Sequence, residues 1–369
     1  MKKTILYNNH IQLKAKMIIF SGYHMPLQYI SSIKEHLSVR TSVGLFDISH
    51  MGKIILTGND VKNFLQYLTT NDLFQLKSYQ AQYSCMINYK GGIIDDLIIY
   101  QISNNKFLLI VNAINTEKNK KWILDHIKLY NPNNIYLLDI THKYSILSIQ
   151  GPKSIMTLQK ITNIDLENMP FYHFEIGTLA GIKEVLISRT GYTGSIGFEI
   201  YIQNKYSNFI WNKILDIGHI FNIHPCGLSS RDSLRLEMGY RLYGNELSEN
   251  ITPIEAGLSW ITKFNKKFIS RDLLQKQKTE GKHKKLISFI INDKRIIIPR
   301  NGHILKNQNN IPIGTVTSGC YSPILKKGIG LGFIENINMI IYNSTNYFIS
   351  IKNSNIPIKI VKLPFIKKV

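Results

Sequence analysis

Residues 91–100 read Gly91-Gly92-Ile93-Ile94-Asp95-Asp96-Leu97-Ile98-Ile99-Tyr100. Two glycines supply a turn, and the apolar run after them reads as a strand bounded by turn chemistry. Side chains on a strand alternate between its faces. Asp96, Ile98 and Tyr100 therefore share one face, and Asp95, Leu97 and Ile99 share the other. Large apolar groups on both faces mark a strand covered on both sides. A carboxylate entering such a strand costs several kcal/mol unless it is paired or hydrogen-bonded. Two readings stay open. Either one Asp caps the turn while the other pairs with a Lys or Arg, or one of them is a poised acid, base or hydrogen-bond acceptor in a cleft.

Composition narrows the setting. At 369 residues, 44% hydrophobic and 19% charged, the chain is long enough for two or three domains and is not of the disordered class. No apolar stretch approaches the ~18 uninterrupted residues of a membrane span. The start, Met1-Lys2-Lys3-Thr4-Ile5-Leu6, turns polar at Asn8, Asn9 and His10, without a secretory h-region or a mitochondrial presequence. A cytoplasmic protein is expected. Cys85, Cys226 and Cys320 lie far apart with no CxxC pair, which argues against a zinc site, a redox dithiol or a disulfide framework. No metal site is expected.

The net charge of +21 invites a nucleic-acid reading. However, the surplus is mostly Lys spread thinly among Ile, Asn and Tyr, as an A/T-rich coding bias would give. The basic blocks Lys118 to Lys121 and Lys276 to Lys285 lack the interleaved aromatics of a stacking platform. A solvated surface, attractive to an acidic partner, is the better reading, with neither nucleic acid nor membrane as partner.

Outward from the central strand, Phe20 to Tyr29 reads as a shaped, aromatic loop, followed by a helix near Ile33 to Val43. A compact α+β unit runs from Asn59 to about Asn134. It has a helix Val61 to Leu68 capped by Asn59, strands Gln82 to Ile87 and Phe107 to Asn112, and an amphipathic helix Thr116 to Lys128 capped by Asn115. From Tyr144 to about Trp260 a second α/β stretch contains a strand Ile146 to Ile149 and a helix Lys153 to Ile161. The glycines of Gly191-Tyr192-Thr193-Gly194-Ser195-Ile196-Gly197 lead into a strand, not a helix, which rejects a dinucleotide fingerprint in favour of a hairpin with Glu199 opposite Phe198. In Gly227-Leu228-Ser229-Ser230-Arg231-Asp232-Ser233-Leu234-Arg235, Ser229 can cap a helix on which Asp232 pairs with Arg235. Arg231 in its first turn opposes the helix dipole, so an anionic partner is expected for it. Lys276 to Lys285 reads as a charged linker. Five strand-like segments beyond it predict a separate all-β domain.

Six ordered blocks then acquire a common meaning. They are Phe20-Ser21-Gly22-Tyr23-His24-Met25-Pro26, Val43 to Gly52 (Val-Gly-Leu-Phe-Asp-Ile-Ser-His-Met-Gly), Gly91 to Ile98, Arg189-Thr190-Gly191-Tyr192-Thr193-Gly194, Arg231 to Glu237 (Arg-Asp-Ser-Leu-Arg-Leu-Glu) and Thr252 to Leu258 (Thr-Pro-Ile-Glu-Ala-Gly-Leu). Together, and collinear from about Leu6 onward, they resemble the T-protein (aminomethyltransferase) family of the glycine cleavage system. Ser318-Gly319-Cys320-Tyr321-Ser322-Pro323 echoes a late motif of that family. The resemblance implies an α+β fold of three domains around a central folate channel. Residues 1–50 and 137–265 would form a discontinuous folate-binding α/β domain, 51–136 an inserted α+β domain, and 283–369 an all-β, barrel- or jelly-roll-like domain.

It also implies a reaction. A one-carbon unit passes from an aminomethyl group on the dihydrolipoyl arm of a carrier, the H-protein, to tetrahydrofolate as co-substrate. The products are 5,10-methylenetetrahydrofolate, ammonia and the reduced arm, and other glycine cleavage components are indirect partners. By matching positions, Asp96 resembles the essential carboxylate, Glu199 the residue holding the pterin, and Arg231 the pterin-side arginine. Met51, Asn112, Tyr192 and Trp260 match positions lining the folate pocket. A monomer is expected. Ser229-Ser230 and Ser195-Ile196 depart from the family pattern beside these positions, not on them.

Three rivals are weaker. A folate-binding iron–sulfur assembly protein would carry a Lys-Gly-Cys-Tyr-x-Gly signature, where this chain reads Lys267-Phe268-Ile269-Ser270-Arg271. The folate-dependent demethylases carry an attached flavin domain. No motif supports a nucleic-acid-binding module.

Overall fold

The computed structural model describes residues 1–130, 134–281, 284–335, 346–352 and 354–367. The central strand, Ile93–Ser103, lies in an antiparallel five-stranded sheet, between Gln80–Ile87 and Lys106–Val111, with Gly52–Thr57 and Tyr136–Asp139 beyond. Gly91 turns the chain at φ +82°. A Cβ on Gly92 would stand 1.7 Å from the Glu249 carbonyl, so each glycine is required for a different reason.

Leu97 and Ile99 pack with Phe64 and Leu65 of the Val61–Leu68 helix and Ile123 of the Thr116–Tyr130 helix. The opposite face, with Ile98 and Tyr100, packs against Phe46, Ile146 and Tyr201 of a second sheet. The two-sided covering inferred from the strand's composition is thus met by helices on one side and a sheet on the other.

This second, six-stranded sheet runs Phe174–Leu179, Ile182–Ser188, Gly197–Gln203, Tyr144–Gln150, Gly44–Asp47 and His224–Pro225, with only the last pair parallel. Its far face is covered by the Asn204–Gly218 helix, whose Trp211 is fully buried. Beyond residue 284 the strands Lys285–Ile291, Lys327–Ile334, Pro312–Ser322, Ile304–Lys306, Tyr347–Ile351 and Ser354–Val361 close into a six-stranded antiparallel barrel with its own core. The barrel docks on the Leu228–Glu237 helix through Leu236 against Ile329 and Leu331. Buried polar contacts bridge the same interface, with Arg235 donating to Ser318 Oγ at 2.9 Å and Ser322 to Glu237 at 2.5 Å.

Several local expectations are corrected. Phe20 to Tyr29 is no loop. Lys16–Phe20 and Tyr23–Gln28 pair as a hairpin around Ser21 and Gly22, both at positive φ. Asn59 does not cap its helix, which begins after Asp60. The 153–161 helix is α-helical only over Ser154–Leu158 and tightens to 3₁₀ over Gln159–Ile161. Gly227, not Ser229, holds the N-cap position of the arginine helix. Much of the expected charged linker is the helix Arg271–Glu280, and the three-residue strand Ile304–Lys306 escaped notice because it is shorter than a strand signal. Lys368 and Val369 lie outside the described residues.

Candidate active site

A cavity of about 810 Å³ is walled by the facing sides of the two sheets, the first turns of the Leu228–Glu237 helix and the loop segments around 240–245 and 258–260. Asp96 and Asn112 reach it from the five-stranded sheet, Glu199 and Tyr192 from the six-stranded one, Arg231 from the helix, and Met51 and Trp260 from loops. The structure therefore brings all seven sequence-selected residues to one space.

At Asp95–Asp96, neither carboxylate caps the turn or meets a Lys or Arg among the described residues. Asp95 is fully buried and accepts four N–H groups. Asn112 donates its backbone N–H at 3.0 Å and Nδ2 at 2.8 Å, Asn115 Nδ2 donates at 2.7 Å and Asn119 Nδ2 at 2.5 Å. Asn115 is the last residue of a 3₁₀ turn, Ala113–Asn115, that runs directly into its helix, and its Nδ2 is given to Asp95. Asn112 Nδ2 also donates to Asp96 Oδ1 at 2.7 Å, so one amide bridges both carboxylates. Tyr83 donates its hydroxyl to Asp96 Oδ2 at 2.9 Å. Burial raises the proton affinity of both aspartates, and the charge of Asp96 raises Asp95 further.

At Glu199, Thr190 Oγ1 donates to Oε2 at 2.7 Å and is itself linked to Tyr100 at 3.2 Å, whose hydroxyl accepts from Tyr201 at 2.8 Å. Burial raises Glu199, against the pull of Thr190 and the Arg231 charge. Arg231 stacks its guanidinium 4.7 Å from the Tyr192 ring centre. Among the described residues its buried Nη1 meets no hydrogen-bond acceptor and it forms no ion pair. The anionic partner expected for it is Glu199, felt as a nearby charge and not as a bonded one. Arg235 instead serves structure, donating to Asp232 at 2.8 Å and Glu246 at 3.1 Å.

The turn carrying Met51 is held from beneath. Lys53, fully buried, donates Nζ to Ser49 O at 2.9 Å and Met51 O at 2.8 Å, and burial brings its pKa down to about 7. His50 beside them also lines the cavity. Burial first, and then the Arg231 charge, push its pKa to about 3, so its ring is neutral. Trp260, with its ring centre 6.0 Å from that of Tyr83, is 60% exposed, as are Ile114 (66%) and Phe171 (55%) at the same mouth.

Tyr83, Thr190 and His50 were missed from the sequence, as were Asn115 and Asn119, which continue a stripe from the selected Asn112. That stripe had a signal. Spacings of three and four continue to Ile123 and put polar amides on the apolar face of the helix, where only a buried acceptor explains them.

Two family descriptions cover the chain. "GCVT N-terminal domain" matches residues 6–266, and "Glycine cleavage T-protein C-terminal barrel domain" matches 284–367. An aminomethyltransferase of Flavobacterium psychrophilum is 47% identical over 368 residues, spanning 100% of each chain. One from Thermoanaerobacter pseudethanolicus is 45% identical over 370 residues, covering 100% of this chain and 98% of its own. Among solved structures, glycine cleavage system aminomethyltransferase T from Bartonella henselae superposes with a TM-score of 0.90 at 28% identity, covering 100% of this chain and 98% of the other.

Proposed function

Because the chain belongs to the glycine cleavage T-protein family and is an aminomethyltransferase with a folate-dependent reaction, we propose that its cavity binds tetrahydrofolate and receives the aminomethyl-loaded lipoyl arm of the H-protein. The observation that carries this is the pairing of an unpartnered, buried Arg231 Nη1 with the Glu199 carboxylate in one cavity. A pterin offers acceptors to the first and amino and ring N–H donors to the second. Tyr192 supplies a flat aromatic wall, fixed because its hydroxyl donates to the Arg241 carbonyl. Tetrahydrofolate, when bound, supplies the two amine nitrogens that take up the one-carbon unit.

The chain's own residues do the rest. Asp96 accepts the hydrogen bond of the attacking amine, orienting its lone pair. It takes the proton as the new C–N bond forms and the carbon's bond to its leaving group breaks, the leaving groups over the two steps being the arm's sulfur and the nitrogen released as ammonia. Asn112, its two N–H groups committed to Asp95 and Asp96, holds that carboxylate in place. The neutral His50 adds no positive charge beside the incoming arm. The exposed apolar mouth at Ile114, Phe171 and Trp260 suits an aliphatic arm entering from a carrier. We propose a monomer acting in the cytoplasm, and among the described residues no helix is long and apolar enough to cross a membrane.

The test is methylenetetrahydrofolate formation from an aminomethyl-loaded carrier, with wild type against Asp96→Asn. Turnover in the wild type and a loss of ~10²-fold or more in the variant is expected. Equal turnover in both returns Asp96 to a structural role. Folate binding without turnover in the wild type would favour a binding protein.

A further inference from the structure

Asp95 stands one residue from the reacting carboxylate, faces away from the cavity and is absent from its lining. Its environment is nevertheless unusual. A fully buried carboxylate is ordinarily paired with a cation or left protonated. Asp95 has no cation within ion-pair distance among the described residues, and its two oxygens accept four N–H groups, two on each. A proton on either oxygen would have to displace one of those donors. The cage therefore selects the anion at this position. Asn119 Oδ1 is buried and meets no donor among the described residues, a penalty consistent with an amide kept for its N–H.

Two carboxylates that share one amide and adjoin in sequence repel each other, and the pair binds its first proton more readily than either would alone. Burial and the Asp96 charge push the pKa of Asp95 up to about 7 against the pull of its donors. Each Asp95 oxygen already accepts two N–H groups, however, whereas each Asp96 side-chain oxygen accepts a single hydrogen bond among the described residues, from Asn112 or Tyr83. The geometry therefore places that proton on Asp96. We propose that Asp95 and its asparagine cage are a positioning device for the transfer reaction, fixing Asn112 and Asp96 in the cavity and directing the proton taken up by the pair to the oxygen that faces substrate. This rests on the reading of Asp96 as the proton acceptor. Asp95 touches no substrate and acts through its neighbours.

Other ionisable groups around the pair do not compete for the same pH range. Tyr83 and Cys85 on the Gln80–Ile87 strand, Tyr192 above, and Tyr243 beneath all have their pKa raised by burial and stay neutral through pH 5–8. Lys118 donates to the Tyr243 hydroxyl and is paired with Glu249 at 2.8 Å, and its pKa is raised by those bonds against burial. Glu199, raised by burial, and Lys53, brought down to about 7, titrate elsewhere around the cavity, so an acidic limb in the rate profile is assigned to the two aspartates by its loss in Asp96→Asn.

The experiment is the pH dependence of kcat and kcat/KM for methylenetetrahydrofolate formation, with the wild type, Asp96→Asn, Asp95→Asn and Asn119→Leu. Asp95→Asn removes the like charge directly. Asn119→Leu removes one donor, which frees an oxygen of Asp95 to take the proton and leaves Asp96 beside a neutral neighbour. Both changes lower the proton affinity of Asp96. The acidic limb should move to lower pH by about one unit, with kcat down about tenfold or more as the clamp loosens.

A limb present in the wild type, absent in Asp96→Asn and moved downward in the two cage variants supports the proposal. A limb lost in Asp96→Asn but unmoved in a folded Asp95→Asn or Asn119→Leu overturns it, even if kcat falls, because loosening alone would not shift a titration. A limb that survives in Asp96→Asn removes the reading of Asp96, and the proposal with it. If Asp95→Asn does not fold, Asn119→Leu, which leaves both carboxylates in place, decides.

Discussion

Tyr83 and Asp96 sit on adjacent strands with the phenol hydroxyl 2.9 Å from Oδ2, and that bond stabilises the charged carboxylate. Tyr83→Phe removes it and raises the proton affinity of Asp96. The acidic limb should rise by about half a unit to one unit, opposite in sign to the shift expected for Asp95→Asn. A pH–rate profile of the variant checks this, and a limb that moves down counts against the assignment of Asp96.

Thr190 is the hydroxyl donor to Glu199 Oε2. With Thr190→Val, a buried carboxylate already raised by desolvation loses a bond to its charged form. On the proposed role of Glu199, its hold on a pterin should weaken by about 1–2 kcal/mol, so KM for tetrahydrofolate rises about tenfold while kcat holds. Steady-state kinetics separate the two. A fall in kcat at constant KM would place Thr190 in the transfer step instead.

Glu237 is enclosed by Arg40, whose Nε and Nη2 donate at 3.0 and 2.9 Å, by His36 at 3.1 Å and by Ser322. Removing one partner of a buried ion pair leaves the other charge uncompensated. Glu237→Leu should destabilise the protein by about 3–5 kcal/mol in urea unfolding. Arg40 also holds the Thr193 carbonyl and Ser195 Oγ at the loop beside Tyr192. A near-neutral result would mean that the helix packing alone holds this corner.

Asp47 is fully buried, which by itself would raise its pKa. Hydrogen bonds and charge from His10, with Ser49 and Thr4, outweigh that and bring it from 3.8 to about 2. A depressed carboxylate contributes stability that is present above its unfolded value and lost as pH falls through the folded one. The contribution is about 2 kcal/mol at neutral pH, vanishing between pH 4 and 2. Asp47→Asn should therefore be less stable than wild type at pH 7 and equally stable near pH 2. Denaturant melts at the two pH values measure the difference, and an equal deficit at both would refute the linkage.

The hairpin around Gly91 and Gly92 shows where legibility ended. Alternation gave the two faces of the central strand, and turn chemistry gave its start. Counting an unbulged hairpin outward from the glycines would set Cys85 opposite Asp95. A bulge between Met86 and Ile87 sets Cys85 opposite Asp96 instead and brings Tyr83 onto the face of the cavity. One unpaired residue thus decides which carboxylate receives the phenol, and it leaves no mark in composition. The seven cavity residues were legible because they fall within ordered motif blocks or match family positions. The groups that tune them were not. Thr190 is named in one block but its partner lies across the Ile182–Ser188 and Gly197–Gln203 hairpin, and the Asn stripe carries its meaning only once a buried carboxylate lies beneath it. The barrel strands were visible from their turn punctuation, whereas the helix Arg271–Glu280 was hidden by a charged composition that suits a solvated helix as well as a linker.

The Leu228–Glu237 helix presents Arg231 to the cavity, while Arg235, which also borders the cavity, and Glu237 bond the barrel. A nascent chain halted just after Trp260 would already hold every side chain assigned to the cavity here. It would lack Thr317, Ser318 and Ser322, which bond Glu246, Arg235 and Glu237 from the barrel. Each of those buried charges would lack one hydrogen-bond partner until the barrel strands emerged. Order of synthesis thus makes the wall of the cavity wait for a part of the chain whose described residues contribute nothing to its lining.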